Sequence, residues 1–106
     1  MATFAELINE MNGYECKTTL WDDFSVADGF GPKAVRDTFD RVFKEWGKNV
    51  EYMTELSLVL NHKIWQHHEK NEELAETYGQ LWDGLDEYCL DCFDGEDKEY
   101  YFKWTD

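Results

Sequence analysis

With 106 residues, 42% of them hydrophobic and 17% aromatic, the chain has length for one domain and apolar material for one core, so its charge is not that of a disordered segment. That charge is extreme: 24 Asp and Glu against 10 Lys and Arg leave a net of −14, which argues against direct binding to nucleic acid or an anionic membrane and favours a basic protein partner. No apolar run approaches the roughly 18 residues of a membrane span. The start "MATFAELINEMNG" also lacks the basic lead and long apolar stretch of a signal peptide, so a cytoplasmic protein is expected.

In chain order, Thr3 and Glu6 make a capping box ahead of Phe4, Leu7, Ile8 and Met11, with Gly13 where a helix would stop. "LWDDFSVADGFG" then sets Leu20, Trp21, Phe24 and Ala27 at helical spacing before Gly29, predicting a short second helix. Gly31 and Pro32 punctuate, and Val35, Phe39, Val42, Phe43 and Trp46 recur every three or four residues up to Gly47. Asn49 caps a further helix along which Val50, Met53, Leu56, Leu60, Ile64 and His67 share one side. Asn71 caps another, from Glu72 to about Phe93, in which Gly79 and Gly84 invite a bend. The ending "KEYYFKWTD" fits a strand, with Tyr100, Phe102 and Trp104 alternating, as well as a helix, and reads as an aromatic tail after the acidic loop "DGED". The expected fold is all-α: one compact domain over residues 1–106, a bundle of four or five helices with a short C-terminal strand or aromatic tail.

The charge is uneven. Residues 69–106 hold 13 acids against Lys70, Lys98 and Lys103, a net of −10 out of the −14. On a wheel of about 100° per residue, Glu72, Glu76, Asp83, Glu87 and Asp94 fall within about 60° of one another, while Leu74, Tyr78, Leu81, Leu85 and Cys92 point the other way. Glu73, Asp86 and Asp91 flank the stripe, and Glu96 and Asp97 extend it past the helix. Like charges three or four residues apart cost a few tenths of a kcal/mol per pair. A partner whose Lys and Arg neutralise them gives a reason to keep them, because such a row resembles the phosphates of a nucleic-acid strand. The plainer reading is a solvated helix face that aids solubility.

Other chemistries find little support. Cys89 and Cys92 form a Cys-x-x-Cys pair, but a zinc site needs two more ligands, which only Cys16 or the distant His62, His67 and His68 could supply. No cofactor is expected, the alternative being a zinc-stabilised structural or adaptor module on Cys16, Cys89 and Cys92. Both thiols of the pair are placed on the apolar side of their helix and near its C-terminus among carboxylates, which disfavours redox chemistry. "DCFDGEDKEY" lacks the ligands of a calcium loop. "NHKIWQHHEK" carries no zinc-hydrolase or di-iron spacing; His67 reads as a core histidine, and His62 and His68 as surface residues. With no nucleophile–base pattern and no phosphate-cradling loop, no catalytic centre is expected.

The stretches "FAELINEMNGYECKTTLWDDFSVAD" and "LNHKIWQHHEKNEELAETYGQLWD" resemble small open reading frames of phages and mobile elements of gut bacteria. In size, acidity and lack of an enzyme centre the chain is also similar to anti-CRISPR proteins, several kinds of which block Cas9 by occupying its nucleic-acid channels. The resemblance implies a non-enzymatic inhibitor and carries over no residue roles. The carboxylates expected to meet the partner are Glu72, Glu73, Glu76, Asp83, Asp86, Glu87, Asp91, Asp94, Glu96 and Asp97.

Overall fold

A computed structural model describes residues 18–105. The expected first helix around Thr3–Met11 and the candidate zinc ligand Cys16 lie outside the described residues. Within them the chain forms five helices and no strand: α1 (Leu20–Asp28), α2 (Pro32–Trp46), α3 (Val50–His67), α4 (Glu72–Cys92) and α5 (Gly95–Thr105).

The starts of these helices follow from local chemistry. Gly31 holds φ 106°, a left-handed value that a Cβ would strain, and hands the chain to Pro32, whose missing N–H costs nothing in a first turn. Asn49 Oδ1 accepts from Tyr52 N at 3.0 Å and Asn71 Oδ1 from Leu74 N at 3.1 Å, satisfying amide donors that would otherwise lack partners. Gly95, at φ 57°, lets the chain reverse between α4 and α5.

Helix α3 is the axis of the bundle. Every residue from Met53 to Leu60 is buried, because α4 packs along it most extensively, α5 covers its first half and α1 its second. Two sequence expectations change here. Helix α4 runs through Gly79 and Gly84 without interruption, since burial of Leu74, Tyr78, Leu85 and Cys89 against α3 outweighs the weak propensity of two glycines. A Cβ added at either glycine meets no atom within 4 Å, so Gly84→Ala should raise stability by about 1 kcal/mol in urea denaturation. The aromatic tail is a helix rather than a strand: α5 buries Tyr101 and half-buries Tyr100 and Trp104, one three-to-four-residue stripe, while Phe102 faces solvent. "DGED" is accordingly a turn followed by the first turn of α5, where Glu96 and Asp97 meet the positive end of the helix dipole.

Candidate interaction surface

Nine of the ten candidate carboxylates are exposed: Glu72, Glu73, Glu76, Asp83, Glu87, Asp91, Asp94, Glu96 and Asp97. Among the described residues none of them pairs with a cation; the ion pairs there are Lys33–Asp37, Lys63–Asp28 and His67–Asp28. Helix α4 has no basic residue in its last turn, so Asp91 and its neighbours also face the negative end of their own helix dipole. At the other end of α4, Glu72 and Glu73 lie in the first turn and meet the positive end of the dipole. Asp94 departs from its expected place: α4 ends at Cys92, Phe93 turns to an extended conformation, and Asp94 sits in the connecting turn instead of on the stripe.

Asp86, the tenth, is turned inward. Tyr101 donates to its Oδ1 at 2.7 Å, the Tyr101 hydroxyl lies 3.2 Å from Ser57 Oγ, and Trp82 Nε1 donates to Ser57 Oγ at 3.1 Å. This chain of hydrogen bonds ties α3, α4 and α5 together behind the acidic face and makes Asp86 an anchor for α5. Cys89 lies beside it, fully buried, and burial pushes its thiol up to about 12 from an ordinary 9.0. Burial likewise raises the phenols of Tyr101 and Tyr78 above 10. All three groups keep their protons in the fold at pH values where the unfolded chain releases them. Their stabilisation is therefore complete below pH 9 and is lost as pH rises toward 12. Urea midpoints at pH 8, 10 and 11 should fall in that order; a constant midpoint would show that these groups are solvated.

A second buried polar cluster, invisible in the residue pattern taken helix by helix, joins α1 to α3 and α4. Lys63 Nζ, with its side chain 0% exposed, donates to Asp28 Oδ2 at 2.9 Å and Ser25 Oγ at 2.8 Å, and lies 4.0 Å above the Trp21 ring. His67 Nε2 sits 3.0 Å from the same Asp28 oxygen, so in its neutral form it carries the proton there and donates. Tyr78 donates to Asp28 Oδ1, and its ring stacks on that of His67. His67 is thus hydrogen-bonded, as expected of a core histidine, but only partly buried, whereas His62 is half-buried instead of superficial, and burial lowers its pKa. The signal for Lys63 was present: Leu56, Leu60, Lys63 and His67 continue one three-to-four-residue stripe. Glu55, also buried, accepts from Thr18 N at 3.2 Å and from the Thr18 hydroxyl.

The Ser25–Lys63 contact has the residue types of a serine nucleophile with a lysine base, but not the arrangement. The lysine nitrogen is the donor toward Ser25, and the Ser25 hydroxyl donates to Trp21 O at 2.8 Å, so its proton points away from any base. The cluster works as a clasp for α1.

The cysteine pair divides. Cys89 is buried and Cys92 exposed, which corrects the expectation of two buried thiols: α4 ends at Cys92, and no neighbouring helix covers it. Among the described residues no three His, Cys, Asp or Glu side chains are gathered as metal ligands, and no helix is long and apolar enough to cross a membrane. Comparison with family models, curated proteins and solved structures returned no match.

Proposed function

We propose that this protein is a non-enzymatic acidic inhibitor that occupies the nucleic-acid-binding surface of a basic protein, its carboxylates standing where phosphates would. The supporting observation is a run of nine exposed carboxylates along α4, the turn after it and the start of α5, with no cation paired to them among the described residues. That arrangement costs the free protein stability through like-charge pairs and, at the C-terminal end of α4, an opposed helix dipole. A partner rich in Lys and Arg removes both costs on binding. The mechanism is competition, in which the inhibitor holds the groove and excludes the nucleic acid.

The resemblance to small anti-CRISPR proteins of phages and mobile elements makes Cas9 the first partner to test, since its guide–target heteroduplex runs in a positively charged channel. Immobilised protein should retain guide-loaded Cas9 at low salt and release it at high salt, as the screening length shrinks from about 10 Å at 0.1 M to about 3 Å at 1 M. If neither Cas9 nor any other nucleic-acid-binding protein of a bacterial lysate is retained, the acidic face is a solvated surface and the proposal fails.

A further inference from the structure

Away from the acidic face, exposed apolar surface collects at the junction of α1 and α2. Val26 is 65% exposed and Phe30 81% exposed, and both border one shallow groove of about 300 Å³, which Ala27 and Ala34 floor and which has Asp23 and Arg41 in its walls. Phe30 is held in place. Its amide donates to Ala27 O at 2.9 Å, and the amides of Gly29 and Gly31 donate to Val26 O and Ala27 O at 3.1 Å, so the ring is presented on a pinned turn. A large aromatic this exposed, on backbone already ordered, has the form of an interface anchor, because little conformational entropy remains to be lost on docking.

We propose that this α1–α2 face is a two-fold contact between two copies of this chain, with Phe30 of each entering the groove of the other. The patch is self-complementary, as an isologous contact requires: it carries a knob and a recess, and one charge of each sign. Arg41 makes no ion pair among the described residues and stands ready to meet the partner copy's acidic wall at Asp23.

Charge distribution also selects this face. At a net of −14 two copies repel one another over most of their surface, yet residues 20–50, which carry α1 and α2, are close to neutral, with five Lys and Arg against six acids. Pairing through α1 and α2 keeps the poles formed by residues 69–106 out of the contact, whereas pairing through α4 would oppose them. The dimer therefore has the opposite salt response to the binding of a basic partner: screening weakens the repulsion between copies and leaves the apolar contact intact, so added salt strengthens it.

Sedimentation equilibrium tests this on the full chain. The apparent mass should rise with concentration from 12.7 kDa toward twice that value, and rise further in high salt. Phe30→Glu should give a monomer with unchanged helix content, its side chain being exposed. Asp23→Arg and Arg41→Asp should each weaken association at least tenfold, and together restore it. A wild type that stays monomeric up to about 1 mM overturns the proposal and assigns the groove to another partner, as does a dimer that Phe30→Glu leaves intact.

Discussion

Asp28→Ala should destabilise the protein by about 3–5 kcal/mol, a large part of the 5–15 kcal/mol expected for a whole domain. The cost arises less from the lost carboxylate than from what it leaves behind. Lys63 is 0% exposed, and without Asp28 it keeps, among the described residues, the Ser25 hydroxyl and the Trp21 ring for a charge that water can no longer reach. Tyr78 and His67 lose the same acceptor. The double variant Asp28→Ala/Lys63→Met should recover most of the loss, because a buried pair replaced on both sides by apolar groups is often neutral or better. Urea denaturation of the four proteins in the cycle measures this directly. A loss below about 1 kcal/mol for Asp28→Ala would mean that α1 swings away to hydrate Lys63, and that the clasp is weak.

The combined reversal Glu76→Lys, Asp83→Lys and Glu87→Lys should abolish partner binding and leave the fold intact. All three side chains are exposed on α4, and none has an ion-pair partner among the described residues whose loss would disturb the bundle. Against a basic groove each new lysine replaces attraction with repulsion; since like-charge juxtaposition costs several kcal/mol, the loss in affinity is on the order of a thousandfold or more at low salt. Stability should move the other way, by a few tenths of a kcal/mol for each like-charge pair relieved. Opposite signs for binding and stability distinguish a binding face from a structural one. A folded triple variant that still binds would show that the contact lies elsewhere on the molecule.

Much of this fold could be read along the chain, because its determinants are local. The Asn49 and Asn71 caps, the Gly31–Pro32 start and the apolar stripes of α2 to α4 each depend on residues no more than a few positions apart. The exposure of the acidic stripe follows from the same periodicity, since a helix that turns Leu74, Tyr78 and Leu85 to the core turns Glu72, Glu76 and Asp83 to water. Where two periods fitted equally well, in the aromatic tail, the pattern could not choose. The tertiary contacts favour the helix: with residues 95–105 helical, the Tyr101 hydroxyl reaches both Ser57 and Asp86.

What the sequence by itself determined, then, is a helical bundle with its negative charge gathered toward one helix and the segment that follows it. The tertiary structure decided which polar residues leave that surface. Asp86 was drawn inward by a tyrosine 15 residues away, Lys63 was buried by an aspartate 35 residues away, and Cys92 was left in water as the last residue of its helix. Periodicity assigns a face to each residue, but a charged group stays buried only when a partner from another element reaches it, and that depends on how the helices pack.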